Sequence, residues 1–591
     1  MKQLSGADSV FLQMERGNNF MHVASLTIYD PSTAPGGGVR FKDVLRYFAS
    51  RIAQFPQFRR RLVTLPLSLD RPYWIEDSSL DVEFHVRHIA LPHPGDWRQL
   101  CIQVARLHSR PLDRSKPLWE AYVIEGLHNV EGVPPGSFAV YSKMHHAIVD
   151  GESGTEIMKA LHSLTPEALD LEAEAHAAAR VFHADREPTS VELYSRALVH
   201  NLQRVPSLAR FSFDTARRLA TVGVQALTKY QSLNDGSPLD SLRAFLAGDL
   251  SSLLPRMPPP TRFSGKVSAH RVFETAEIPM EDFKLVRRQV REATINDQFL
   301  CIVGGALRMY LSDKKELPDA TLVAMVPLTL RGTDKSAEGN QVGMTAIPVH
   351  TEIEDPLDRL RAICRDAKNA KATSDALGRE LARDLLQHVP SMVADPILRN
   401  VKLPGMSLIV SNVRGPDVPL YMAGARLLKY APVSIAVDGM GMNITGFSYA
   451  GTMCLCAISC RDMLPDPAFF ADCMRTSFEQ MKEAAVREAA FVESSAAAMN
   501  GADVIEAKAP RAGSTVSRTR RGRSRAQHVK PALKATGVRR VEPIAKAVAR
   551  RRAEPLAKAE GGRGSAAAAP KSVAAKASGR RRRAAAPSTS G

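Results

Sequence analysis

The sequence predicts an α/β protein: two units of interleaved strands and helices, a helical crossover between them, and a disordered basic tail. Three observations carry this. Apolar residues recur at helical spacing in some windows and as short runs or alternations in others, on both sides of a Pro-rich break at Pro255–Pro260. The length of 591 residues exceeds one ordinary domain, taking about 150 residues per domain. The charge is also unevenly placed. Residues 501–591 hold 23 Lys/Arg against 5 Asp/Glu, while the rest of the chain holds 56 against 57.

The first unit spans residues 1–163. Phe41, Val44, Leu45, Phe48 and Ile52 share a helical face, so the spacing predicts a helix over 41–54. A second helix is expected at 97–109. The apolar runs 120–125 and 137–144 read as strands, with Pro134, Pro135 and Gly136 turning the chain between them. A helix is expected from Thr155 to His162, after Gly151 and Gly154.

Residues 164–260 form the crossover, first Ala/Glu-rich and then basic. Leu208, Phe211, Leu219, Val222 and Ala226 lie near one helical face, beside Arg210, Arg217, Arg218 and Lys229. That pattern fits a helix packed on the body, and it also fits a helix lying on a lipid surface.

The second unit spans residues 261–490. Strands are expected at 271–278, 321–327, 344–351, 406–411, 434–437, 444–449 and 453–459. Helices are expected at 281–292, 297–312, 355–373, 376–388 and 466–488. Gly304 and Gly305 fall inside a helical pattern, where they allow close packing. The tail, 491–591, has no aromatic, Met or Cys from residue 501 onward. Such a segment buries too little apolar surface to offset its ordering entropy, so disorder is expected.

Composition also excludes classes. No apolar run approaches the ~20 residues that span a bilayer. Met1–Gly17 carries charges and no long apolar stretch, so no secretory signal is expected. Cys101, Cys301, Cys364, Cys454, Cys456, Cys460 and Cys473 are an odd, sparse set, read as reduced thiols acting as small hydrophobes. Neither a P-loop nor a dinucleotide fingerprint after a strand is present. No metal or other cofactor is implied.

The most specific segment is Phe138-Ala-Val-Tyr-Ser-Lys-Met-His-His-Ala-Ile-Val-Asp-Gly151. At average residue usage, the pattern HHxxxDG arises by chance in roughly one chain in a thousand of this length. A neutral imidazole with a pKa near the operating pH can take the proton of an alcohol as its oxygen attacks a carbonyl. The imidazolium can then return that proton to the leaving group. No covalent intermediate is needed, and the chain contains no G-x-S-x-G elbow. His146 is the candidate base. His145 fits either a direct role or a role in shaping the site. Asp150 fits orienting the loop or acting directly on His146, with a structural ion pair to an arginine favoured, and Gly151 fits a sharp turn. The competing reading is a buried structural histidine with a capping aspartate.

These residues resemble the HHxxxDG motif of the bacterial wax ester synthase/diacylglycerol acyltransferase family, within the coenzyme A-dependent acyltransferases. The resemblance covers residues 4–490. It includes Leu4–Tyr29, FPQFRRRL at 55–62, and LHSRPLDRSKPLWEAYVIEGL at 107–127 with Pro117-Leu118-Trp119. It further includes Asn296-Asp297, VPLTLR at 326–331, Gly339-Asn340 with Ile347-Pro348-Val349, and SNVRGP at 411–416. Ser264 stands where the family pattern leads one to expect Asn. The DFGWG motif of the related plant enzymes is absent, and the basic tail is not part of the family's core pattern.

The resemblance implies two similar acyltransferase domains meeting at the histidine motif, over a channel. It implies acyl-CoA as a substrate, and diacylglycerol or a long-chain alcohol as the acceptor, with triacylglycerol synthesis favoured. It carries the catalytic role to His146 and a structural one to Asp150, with Arg331 as its partner. Asn296 and Asp297 would support the site, Asn296 through oxyanion or loop-ordering help. The bland alternatives are a helix cap for Asn296, packing for Pro117, Leu118 and Trp119, and a turn at Ser411-Asn412. A cytoplasmic protein is expected, peripheral on the inner membrane or on lipid inclusions. The tail fits binding to nucleic acid, to anionic lipid, or a solubilising role. The rival function is a lipid- or nucleic-acid-binding protein that has kept the fold without the activity.

Overall fold

The computed structural model of the chain describes residues 1–66, 69–148, 158, 161–167, 186–203, 258–329, 342–376 and 406–506. The first half runs β1 (Lys2–Gln3), α1 (Gly6–Met14), β2 (His22–Asp30), α2 (Phe41–Gln54), β3 (Arg60–Val63), β4 (Tyr73–Glu76), α3 (Val82–His85), β5 (Val86–Ala90), α4 (Trp97–His108), β6 (Trp119–Glu125) and β7 (Phe138–His145). Residues 190–203 are helical and form α5. The second half runs β8 (Arg271–Pro279), α6 (Met280–Gln289), α7 (Ile295–Asp313), β9 (Val323–Thr329), β10 (Val342–Pro348), α8 (Pro356–Ala376), β11 (Leu408–Arg414), β12 (Tyr421–Met422), β13 (Ala425–Val433), β14 (Asn443–Tyr449), β15 (Thr452–Cys460) and α9 (Pro467–Glu506).

Two six-stranded mixed sheets organise these elements. The first has the order β12-β13-β2-β7-β6-β5 and the second β10-β9-β11-β14-β15-β8. A third, three-stranded sheet is β1-β4-β3. The α/β class read from the sequence is therefore correct. On one face of the first sheet, Val44, Tyr47, Phe48 and Ile52 of α2 pack against Trp119, Ala121 and Val123 of β6. This is the apolar stripe that the helical spacing predicted. On the other face, Leu26, Ile28, Tyr122 and Tyr141 meet Phe273, Cys454, Cys456 and Ile458 of the second sheet. All seven cysteines are buried and unpaired, as small hydrophobes would be.

β12 and β13 cross the expected division of the chain. They follow β11 in sequence, yet β13 pairs antiparallel with β2, with Leu427 opposite Tyr29 and Val433 opposite Ala24. The expected strand at 434–437 is corrected by this observation. Those residues lie just past β13, and only Val437 forms an isolated bridge, to Met440. Pro432 makes 425–433 a poor strand by pattern, since proline cannot donate to a ladder. It is tolerated because β12 covers β13 only at Ala425 and Arg426, leaving that side of Pro432 without a ladder to complete.

The predicted helix at 466–488 also runs longer, to Glu506, and takes in the start of the segment read as a disordered tail. Residues 483–499 are rich in Ala and Glu, both strong helix formers. α7 is buried over most of its length. A Cβ at Gly304 would collide with the Val349 carbonyl, and one at Gly305 with Ser477 Oγ, so the two glycines let α7 pack closely. The expected helices at 155–162 and 376–388 lie wholly or largely outside the described residues. Among the described residues, no helix is long and apolar enough to cross a membrane.

Candidate active site

β7 ends at His145, and His146 begins a short 3-10 turn through Ile148. Both histidines are tied to their neighbours through the main chain. The His145 N–H donates to the Leu118 carbonyl at 2.9 Å, and the His146 N–H to the Met21 carbonyl at 2.7 Å. In the sheet, Trp119 pairs with Met144 and His22 with His145. The fold thus brings Leu118 and Trp119 beside the strand that ends in the two histidines. Trp119 is itself buried packing. Its indole N–H donates to the Phe58 carbonyl at 2.8 Å, and its ring stacks on His85 at 4.4 Å.

The two histidines differ in their surroundings. His145 is buried, and its Nδ1 accepts the Ala147 N–H at 3.0 Å. Its proton therefore belongs on Nε2. Nε2 faces Glu15 Oε2 at 3.2 Å, an ion-pair distance without a well-aligned hydrogen bond. Glu15 also accepts the Met21 N–H at 2.9 Å and meets Arg114 at 3.1 Å. Burial alone would raise the Glu15 carboxyl, but His145, the Met21 amide and Arg114 outweigh it and bring it down to about 2.

His146 is half-buried and stacks on Phe11 of α1, with ring centroids 4.0 Å apart and planes within 11°. Its Nδ1 is buried without a hydrogen-bond partner. Burial, aided by the neighbouring His145, lowers its pKa to about 4. The imidazole is therefore neutral at physiological pH.

Phe11 and Met21 continue into an apolar cluster contributed by both halves of the chain. Met21, Met325, Ile409, Val437 and Met440 are buried there, with Phe11, Met14 and Met406 packed alongside. Methionine-rich surfaces adapt to flexible apolar groups. Sequence reasoning did not single out Glu15, Phe11 or Arg114. Glu15 lies in a segment whose resemblance was noted, but a lone acid after a short helix carries no period or motif of its own.

Other predicted site residues form a second group. The N-cap of α7 is Thr294, not Asn296, which is half-buried in the first helical turn. The Asp297 carboxylate accepts the Thr294 N–H at 2.8 Å and its hydroxyl at 2.7 Å, while Thr294 Oγ1 accepts the Asp297 N–H. That is a reciprocal capping box. Ser411 and Asn412 lie within β11, opposite Thr445 and Gly446, rather than in a turn. Asn412 Oδ1 is buried without a partner, close to the space over Gly446 that Phe299 of α7 also borders. Asp150, Gly151 and Arg331 lie outside the described residues. Among the described residues, no group of three His, Cys, Asp or Glu could hold a metal ion.

Comparison with known proteins places this geometry. Residues 4–299 match the family model described as the wax ester synthase/diacylglycerol acyltransferase catalytic domain, and residues 338–482 match the WS/DGAT C-terminal domain. The chain belongs to the wax ester synthase/diacylglycerol acyltransferase family. A putative diacylglycerol O-acyltransferase of Mycobacterium tuberculosis (strain ATCC 25618 / H37Rv) is 32% identical over 492 residues, covering 82% of this chain and 90% of that protein. The O-acyltransferase WSD of Acinetobacter baylyi is 31% identical over 479 residues, covering 79% of this chain and 93% of that protein. The solved wax ester synthase/diacylglycerol acyltransferase of Marinobacter aquaeolei VT8 superposes with a TM-score of 0.56 at 25% identity, covering 82% of this chain and all of that one. This chain is an acyltransferase, and its family resemblance was legible in the motifs. The matched regions end before the basic tail, which is an addition to the family's body.

Proposed function

We propose that this acyltransferase moves a fatty acyl group from acyl-CoA to the free hydroxyl of diacylglycerol, forming triacylglycerol, with long-chain alcohols as a second acceptor. His146 is the general base. The observation that carries this reading is the division of labour between the two histidines. His145 has Nδ1 engaged by Ala147 and Nε2 facing Glu15, whereas His146 is neutral with an unpartnered Nδ1.

In this reading His146 takes the proton of the acceptor hydroxyl as the oxygen attacks the thioester carbonyl. The carbonyl π electrons move onto oxygen, giving a tetrahedral oxyanion. Its collapse restores the carbonyl, breaks the C–S bond and expels the coenzyme A thiolate, which recovers the proton from His146. Phe11 stacks on the ring, the Met21 carbonyl holds the His146 main chain, and the methionine-rich cluster offers apolar surface for an acyl chain. Asp150 is read as a structural ion-pair residue with Arg331 as partner, and Asn296 as support for the site. The names of the M. tuberculosis and A. baylyi relatives support O-acyl transfer, and the former supports diacylglycerol as acceptor.

The test is an assay of purified protein with long-chain acyl-CoA, offered diacylglycerol and a long-chain alcohol separately, beside His146→Ala. Triacylglycerol from wild type and none from the variant is the expected result. Full activity in His146→Ala would overturn the assignment of the base. Ester formed only with the long-chain alcohol would overturn the acceptor.

A further inference from the structure

Lys143 carries an ammonium into the body of the protein, two residues before the histidine pair. Its side chain is fully buried on β7, on the face that also carries Tyr141 and His145. Its cross-strand partner is Glu120 of β6, whose Oε1 lies 2.5 Å from Nζ. Nζ also donates to the Leu107 carbonyl at 3.0 Å and to the Arg110 carbonyl at 2.9 Å. These three acceptors match the three N–H bonds of an ammonium. Leu107 is in the last turn of α4, and Arg110 begins the loop that follows it. The same helix end is held twice more. His22 Nε2 donates to the His108 carbonyl at 2.8 Å. His108 Nε2 donates to the Ser434 carbonyl, so its Nδ1 accepts the Tyr141 hydroxyl, at 2.8 Å. β2 and β7 thus grip the negative end of α4, where a cation is favoured.

A buried ion pair is a weak source of stability. Desolvation cancels much of the attraction, and apolar residues of like volume often serve a fold as well. What an ammonium does that a methionine cannot is hold two carbonyls at fixed places. Those carbonyls set the start of the 109–118 loop, and that loop reaches the histidine pair by two routes. Arg114 Nη2 donates to the Leu12 carbonyl at 3.2 Å and meets Glu15 Oε1 at 3.1 Å, while Glu15 Oε2 faces His145 Nε2. At the far end of the loop, the Leu118 carbonyl accepts the His145 N–H. Pro111 and Pro117 stiffen the two ends. Between them the Asp113 carboxylate accepts the Ser115 N–H at 2.9 Å, closing a turn. A shift of Arg110 is therefore passed on to Glu15 and Leu118 instead of being absorbed within the loop.

We propose that Lys143 is a positioning residue for the histidine pair: it ties the start of the 109–118 loop to the strand that carries the histidines, so that Arg114 and Leu118 meet Glu15 and His145 in register. This rests on the reading that His146 is the base. Lys143→Met alone would leave Glu120 a buried unpaired charge, so the variant measured is Lys143→Met/Glu120→Gln. There the pair is neutral and the two carbonyls still lose their donor. The assay uses full-length protein, long-chain acyl-CoA and whichever of diacylglycerol and a long-chain alcohol the wild type esterifies, well below each variant's thermal midpoint. In the double variant kcat should fall roughly 10–100-fold with KM little changed. Arg114→Gln, at a side chain 45% exposed and outside the core, should show the same split. Combining the three substitutions should cost little more than the larger of the two losses, because both cut one link. A kcat within about twofold of wild type in either variant, or losses that multiply on combination, overturns the proposal. If Lys143→Met/Glu120→Gln does not fold, Arg114→Gln decides alone: a kcat like that of wild type overturns the link, and a loss in kcat without one in KM upholds it. His146→Ala, assayed beside them, separates the two readings. Full activity there sinks the choice of base. A slow His146→Ala beside normal Lys143 and Arg114 variants sinks the positioning role alone.

Discussion

Glu15 Oε2 lies 3.2 Å from His145 Nε2, across 130 residues of sequence, and the carboxylate is itself held by Arg114 and the Met21 amide. The contact suits the His145 tautomer that the Ala147 N–H sets, with the proton on Nε2. It also braces the segment that carries His146, because Met21 links both: its amide binds Glu15 and its carbonyl binds the His146 N–H. If His146 is the base, as proposed, Glu15 is a positioning residue that acts on it through its neighbours.

Glu15→Gln removes the charge and keeps the shape. The expected outcome is a fall in kcat of roughly 10–100-fold, as for other groups that orient a reactive residue, with KM little changed. Glu15→Asp should recover part of the loss. Equal losses in the two variants, or a change confined to KM, would show that Glu15 does not orient the base.

The same carboxylate makes stability depend on acid. Its pKa is depressed to about 2 in the folded state, below its ordinary value of 4.5. The unfolded chain thus takes up the proton first as pH falls, and the stabilisation present above 4.5 is lost between 4.5 and 2. Urea titrations of wild type and Glu15→Gln should converge across that window.

Desolvation of the ring, whose Nδ1 is buried, pushes the His146 pKa down to about 4. Lowering the pH from 7 to 5 leaves it neutral, so kcat/KM should be nearly flat there and fall only towards pH 4. An acid limb centred at the ordinary histidine value of 6.5 would mean that another group is the base. Stability behaves differently. His146 and His162 are both pushed down to about 4, so the unfolded chain gains protons first between 6.5 and 4, and the folded state weakens steadily across that range.

His146→Ala should lower kcat by roughly 10²–10⁴-fold, the usual worth of a positioned base. Its thermal midpoint should fall only slightly, by the loss of the Phe11 stack, since its Nδ1 makes no hydrogen bond that the substitution would break. A small effect on rate with a large effect on stability would instead mark His146 as structural.

Asp297 belongs to the capping box of α7, with Thr294. Asp297→Ala should cost about 1 kcal/mol of stability and leave kcat/KM within a few-fold of wild type. A rate loss well beyond that, in a folded variant, would return Asp297 to the catalytic site.

Local periodicity and motif spacing, both written in contiguous residues, determined a large part of this protein. The helix at 41–54, the strands at 119–125 and 138–145, and the histidine pair were legible because side-chain direction repeats every 3.6 or 2 residues along the chain. The family motifs were legible for a similar reason, since each is compact. What only the tertiary structure decided is what meets across long separations. It placed Leu427 opposite Tyr29, Glu15 against His145, and Phe11 on His146. No residue pattern announces these pairings, because a strand or a carboxylate has many possible partners of similar local energy. The choice among them is made by packing two sheets and their helices into one core, a term that no short window of sequence contains.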